Sequence, residues 1–140
     1  MIAYLDSSVV LRAVLAEPHG LAEWRRISRP VSSAITEVEC LRTLDRGLAR
    51  GQLDAATVAE RRAAVYELLR RTEIIELSPP VLARAGASFP TPLGTLDALH
   101  LATALLWRER SPADADLEFA THDTGLAVAA RACGLRVIGV

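Results

Sequence analysis

Ile2-Ala3-Tyr4-Leu5-Asp6-Ser7-Ser8 is the stretch from which the architecture unfolds. A short, mostly apolar run of strand length passes directly into an acid and then into two hydroxyl residues able to cap a helix. That helix is predicted to continue through Ala16, where Pro18 stops it. The same order returns near the far end of the chain. Leu117 to Thr121 reads as an apolar strand, Asp123 follows two residues later, and a helix is predicted from about Thr124 to Cys133 with Gly134 as its stop. A strand, an acid and a helix, met twice, point to a parallel sheet with carboxylates along the carboxyl ends of its strands.

The segments between fit this plan. A short helix is predicted over Gly20 to Ile27, ended by Pro30, then a brief strand at Val31 and Ser32. Thr36 to Arg50 reads as a helix with Val38, Leu41, Leu44 and Leu48 on its apolar stripe and Gly51 as its stop. Asp54 is positioned to cap a helix reaching Arg71, with Val58, Val65, Leu68 and Leu69 inward. Next come a strand (Glu73 to Leu77), a helix (Pro79 to Ser88), a rigid loop through Phe89 to Thr95 and a helix from Leu96 to Arg110. A loop from Ser111 to Asp116 leads to the Leu117 strand, and Leu135 to Val140 is the last strand. The predicted fold is α/β: a three-layer sandwich around a central, mostly parallel five-stranded sheet, forming a single domain over residues 1–140.

Composition narrows the function. The chain is 51% hydrophobic and 24% charged, enough for a packed core and too little polarity for disorder. The apolar run Leu96 to Trp107 is interrupted by Asp97 and His100 and falls short of the roughly 20 residues that span a bilayer, so it reads as a core helix with no membrane role. Met1 to Leu5 lacks a basic region, which predicts a cytoplasmic protein. Cys40 and Cys133 are too far apart for a metal-site or redox spacing and read as small buried thiols. A net charge of −1 gives no global attraction to nucleic acid, so any such binding must use a local patch.

Four acids demand an explanation. Asp6 and Asp123 each follow a strand, where either a helix cap or an active-site acid fits. Asp97 sits in Leu96-Asp-Ala-Leu-His-Leu-Ala-Thr-Ala-Leu-Leu, apolar nearly all round, so it is expected to be buried. It then needs a cation, a charged partner or the free amides of a first helical turn. By helical pattern Glu39 falls away from the apolar stripe, as a solvent-facing residue would, and Glu37 competes with it. Acids that converge repel one another unless a cation intervenes, and an all-oxygen set favours Mg²⁺ or Mn²⁺ over zinc. Such ions promote phosphodiester hydrolysis by acidifying a bound water and neutralising the leaving oxygen.

Four motifs in order resemble the PIN-domain family, and within it the VapC-type ribonuclease toxins of type II toxin–antitoxin pairs. They are Met1-Ile-Ala-Tyr-Leu-Asp6-Ser-Ser, Ser32-Ser-Ala-Ile-Thr36-Glu-Val-Glu39, Thr95-Leu-Asp97-Ala-Leu-His-Leu-Ala-Thr103, and Phe119-Ala-Thr121-His-Asp123. Gly134-Leu-Arg-Val-Ile-Gly is similar to the family's closing strand, so the likeness spans essentially the whole chain. The resemblance implies an Mg²⁺- or Mn²⁺-dependent endoribonuclease. Asp6, Glu39, Asp97 and Asp123 are its catalytic acids, the three aspartates hold the metal, and Ser7 and Thr121 support them. It also implies a VapB-type antitoxin partner and a homodimer. Arg12, Arg42 and Arg46 are candidates for holding RNA phosphates. Leu11, Val14, Leu15 and Trp24 are candidates for an antitoxin groove. His100, one turn from Asp97, reads as a buried core residue or a partner to the acids.

Competing enzyme families fit poorly. All 16 basic residues are Arg, and the absence of Lys disfavours haloacid-dehalogenase phosphatases, response-regulator receivers and Lys-bearing phosphate loops. No Gly-x-Gly-x-x-Gly is present, which disfavours dinucleotide binding. Two alternatives stay open: a non-enzymatic PIN-like binding module, and a PIN nuclease of RNA processing outside any toxin–antitoxin pair.

Overall fold

A computed structural model describes residues 1–112 and 115–140. In chain order these form β1 (Ile2–Leu5), α1 (Ser7–Val14), a 3₁₀ turn (Trp24–Arg26), β2 (Arg29–Ser33), α2 (Ile35–Ala49), α3 (Ala55–Arg70), β3 (Glu73–Ile75), α4 (Pro79–Ala85), α5 (Thr95–Arg110), β4 (Leu117–Ala120), α6 (Thr124–Ala132) and β5 (Arg136–Ile138). The strands lie in the order β3-β2-β1-β4-β5, and every neighbouring pair is parallel. The expected sheet is thus wholly parallel among the described residues. Of the loop predicted over Ser111 to Asp116, residues 113 and 114 lie outside the described residues. Among those described, no helix is long and apolar enough to cross a membrane.

Alternation along the strands builds the layers. On β1, Ala3 and Leu5 join one core cluster with Val9, Val10, Cys40, Leu44, Val58 and Val65, contributed by α1, α2 and α3. Tyr4 points the other way, into a cluster with Leu101, Leu105, Phe119, Leu126 and Ala129 under α5 and α6. Each fully buried large apolar side chain in these clusters contributes about 1.5–3 kcal/mol. β1 is central, and the chain order reverses beside it: β2 and β3 extend one side, β4 and β5 the other. The crevice beyond the carboxyl ends of β1 and β4 is therefore the switch point, where open α/β sheets bind ligands.

Three local readings need correction. The helix expected over Gly20 to Ile27 is only the Trp24–Arg26 turn. Leu21, Trp24 and Ile27 face the core at a spacing of three, the period of a 3₁₀ turn rather than of an α-helix. α1 ends at Val14, and Ala16 takes a left-handed φ of 53°, which closes the helix before Pro18 is reached. On α2 the buried face is Thr36, Cys40, Leu44 and Gly47, while Val38 and Leu48 are exposed. Polar and small residues occupy that face for specific reasons. Thr36 Oγ1 hydrogen-bonds Ser32 Oγ at 2.8 Å, and Leu53 packs where a Cβ on Gly47 would stand. The rotation turns Glu39 inward. Cys40 is fully buried as expected, whereas Cys133 is only partly so. Burial, with Glu39 and Asp6 nearby, pushes the Cys40 thiol up to about 12, which keeps it inert.

The carboxyl edge is closed by Gly139, whose φ is 99° and whose Cβ, if present, would lie 2.5 Å from the Thr121 carbonyl oxygen. Gly139→Ala should therefore cost about 1–3 kcal/mol through forced backbone displacement. Urea unfolding reads this directly, and a variant as stable as the parent would contradict the close approach.

Candidate active site

Asp6 stands immediately after β1 with only 3% of its surface exposed, and its carboxylate is satisfied on both oxygens. Oδ1 accepts from the Ser8 amide at 2.5 Å, Oδ2 accepts from Ser8 Oγ at 3.0 Å, and Thr121 Oγ1 donates a short hydrogen bond to Oδ2. Thr121 Oγ1 in turn accepts from the Asp123 amide at 3.0 Å, so this one hydroxyl joins the ends of β1 and β4. The Asp6 side chain is thus both the N-cap of α1 and an acid of the crevice. Of the two residues expected to support the acids, Thr121 reaches Asp6 through its hydroxyl. Ser7 contributes only a long 3.4 Å contact, whereas Ser8, expected with Ser7 only as a candidate helix cap, binds Asp6 through its amide and its hydroxyl while Asp6 itself caps the helix. Ser8 Oγ also accepts from the His122 amide at 2.9 Å, a link to a distant loop that no local pattern reveals.

Asp123 is exposed and caps α6, its Oδ1 accepting from the Leu126 amide at 2.7 Å. Asp97 lies in the first turn of α5 and is half-exposed rather than buried, because the apolar run packs inward only from Ala98 onward. Its carboxyl is held above the usual carboxylate range, first by burial, then by the negative charges of Asp123 and Asp6; His100 opposes the shift and Glu39 adds to it. The other three sequence-predicted acids therefore all lie near enough to Asp97 to act on its charge. Among the described residues, however, no three His, Cys, Asp or Glu side chains stand close enough to hold an ion as arranged. Each acid other than Asp97 is instead anchored to a protein donor.

Between the competing glutamates the structure is clear: Glu37 is exposed, and Glu39 turns inward with 17% of its side chain accessible. Glu39 Oε2 lies 2.5 Å from Nε2 of His100, itself 1% exposed, and His100 Nδ1 lies 2.9 Å from the Tyr4 hydroxyl. His100 is therefore a partner to an acid as well as a core residue. Beside Glu39 opens a cleft of about 210 Å³ lined by Ser7, Leu11, Val38, Arg42, Arg46 and Leu96, among others. Arg42 and Arg46 thus flank the acids, although Arg42 pairs with Asp45 at 2.7 Å and Arg46 donates to Thr43 at 3.0 Å. Arg12 does not join them: it turns to the His19 carbonyl at 3.1 Å and to Glu17. Nor do the four groove candidates share a groove. Leu11 lines this cleft, Val14 is buried, and Leu15 and Trp24 line two separate cavities.

The PIN-domain family model matches residues 3–132, nearly the whole chain. The chain belongs to the PIN-domain family. This PIN domain is 35% identical to ribonuclease VapC46 of Mycobacterium tuberculosis, over 96% of this chain and 95% of that one. It is 33% identical to ribonuclease VapC35 of the same species, over 96% and 94%. Its fold is shared with the crystal structure of VapBC2 from Rickettsia felis bound to a promoter DNA fragment, at a TM-score of 0.68 and 15% identity, covering 98% of this chain and 97% of that one.

The raised carboxyl of Asp97 gives a pH dependence with a definite sign. The folded state binds this proton more readily than the unfolded chain, so stability falls as pH rises through the raised range. Without divalent ions, Asp97→Asn should melt above the parent at neutral pH, with the gap closing as pH falls below about 4. Calorimetric melting of the two proteins across that range tests it, and a lower-melting variant at neutral pH would contradict it.

Proposed function

We propose that this PIN domain is a metal-dependent endoribonuclease and the toxin of a VapBC-type toxin–antitoxin pair. The observation that carries the reading is the electrostatic linkage of Asp97 to Asp123, Asp6 and Glu39 at the switch point of the sheet. A structural acid has no need of three like-charged neighbours, and their repulsion is relieved by a cation. Curated relatives named ribonucleases at 33–35% identity over nearly full length support the same activity.

The donor types suit a hard divalent cation, since the proposed ligands are all carboxylates, although among the described residues they would have to draw closer to hold it. Asp6, Asp97 and Asp123 would hold Mg²⁺ or Mn²⁺, which when bound supplies an acidified water and charge neutralisation for phosphodiester hydrolysis. Asp6 offers preset geometry, fixed by Ser8 and Thr121. Asp97, whose carboxyl is held above its ordinary range first by burial and then by its acidic neighbours, has a charge that a cation would stabilise. Glu39 lines the cleft where RNA would enter, and Arg42 and Arg46 beside it suit phosphate oxygens once their side-chain partners yield.

The partners we assign are a VapB-type antitoxin, a second copy of this chain in a homodimer, and an RNA substrate. Solved neighbours of the same fold include toxin–antitoxin complexes, which supports the first. Exposed Val38 and Leu96 give the cleft beside Glu39 an apolar rim suited to an antitoxin segment. One observation favours a second reading, a PIN-like binding module without catalysis: among the described residues the acids do not close into an ion-holding group.

Cleavage of total cellular RNA by the purified, antitoxin-free protein separates the two. With Mg²⁺ or Mn²⁺ the parent should cleave, a chelator should abolish cleavage, and folded Asp97→Asn should lose about 100-fold or more in rate. A folded parent inactive on every RNA pool favours the binding module.

A further inference from the structure

Tyr4, His100 and Glu39 form a buried polar chain that crosses the carboxyl edge of the sheet. A carboxylate only accepts hydrogen bonds, so the 2.5 Å contact to Glu39 Oε2 places a proton on His100 Nε2. A phenol holds its proton at neutral pH, and with Nε2 protonated the Tyr4 hydroxyl donates to Nδ1 at 2.9 Å. Both ring nitrogens are thereby satisfied in one neutral tautomer. Tyr4 is itself immobilised by stacking on Phe119 of β4, with ring centroids 5.2 Å apart. The chain thus runs from β4 and β1 through α5 to α2, the elements that carry or precede the acids of the crevice.

We propose that His100 is a positioning residue for RNA hydrolysis: backed by Tyr4, it fixes the Glu39 carboxylate in the crevice and leaves Oε1 for the substrate side. This rests on the ribonuclease reading. Glu39 sits on a long side chain that would otherwise sample several rotamers at the mouth of the cleft. Among the described residues its one side-chain hydrogen bond is the one to His100. α2 packs in the layer with α1 and α3, and α5 in the opposite layer, so the His100 to Glu39 bond fastens the two layers where the acids meet.

The test uses His100→Phe, His100→Gln and Tyr4→Phe, each checked for folding by melting and near-UV circular dichroism. Partners that orient catalytic-site ligands typically matter 10–100-fold. With Mn²⁺ and a model RNA, His100→Phe should lower kcat by about 10–100-fold with KM within about twofold, because only orientation is lost. His100→Gln, whose amide N–H reaches about as far as Nε2, should recover most of kcat, and Tyr4→Phe should fall between. Unchanged kcat in folded His100→Phe, or no recovery with Gln, overturns the proposal.

Proton NMR of metal-free protein gives a reading independent of activity. The parent should show a protected downfield imidazole N–H that disappears in Glu39→Ala and shifts in Tyr4→Phe. Absence of that signal in the folded parent overturns the chain itself. A parent that shows the signal yet cleaves no RNA supports the positioning contact and overturns the ribonuclease reading, and with it the catalytic part of the proposal.

Discussion

The satisfaction of one nearly buried carboxylate, that of Asp6, organises the edge of the sheet where the chemistry is placed. An unpartnered charge at 3% exposure would cost several kcal/mol, and three donors from Ser8 and Thr121 remove that cost. In doing so they couple segments from both ends of the chain. Thr121 ties the end of β4 to the end of β1, its amide bonds the Ile138 carbonyl, and Gly139 allows the last strand to approach its own carbonyl. Asp6 caps α1 and at the same time stands at the switch point of the sheet. Capping sets the direction of the carboxylate, and the switch point supplies its neighbours.

A second constraint is the repulsion between acids. Evolved folds hold like charges together only where each has other stabilising contacts or where a cation is expected. Asp6 has its three donors, Asp123 has the first-turn amide of α6, and Glu39 has His100. Among the described residues Asp97 has no such side-chain anchor, and its carboxyl is raised by burial and by the other acids. That inequality distinguishes a poised site from a set of surface acids.

Much of the fold was legible because its signals are local. Apolar runs of strand length, Asp54 as a side-chain cap on the Thr57 amide, and Gly134 in a left-handed conformation after α6 each act within a few residues. Asp6 and Asp123 were legible as candidates because position after a strand is also local, whereas Asp97 was singled out for a burial that its place in the first turn of α5 only partly gives it. What escaped depends on tertiary packing. The buried face of α2 is built from Thr36, Cys40 and Gly47, and hydrophobicity alone therefore rotated the helix and put Glu39 in solvent. Only the family likeness, which aligns motifs rather than faces, chose Glu39 over Glu37. The link of Ser8 to His122 and the role of His100 depend on partners far away in sequence, and Arg12 turns to the His19 carbonyl because the chain after α1 bends to receive it.

The central claim is that Asp6, Asp97 and Asp123 together form a site for a divalent cation on a PIN fold. Its most direct test is calorimetric titration of Mn²⁺ into the purified protein and into an Asp6→Asn, Asp97→Asn double variant of verified fold. The account predicts saturable binding to the parent and none to the double variant. Equal binding to both, or none to the folded parent at millimolar Mn²⁺, would contradict it.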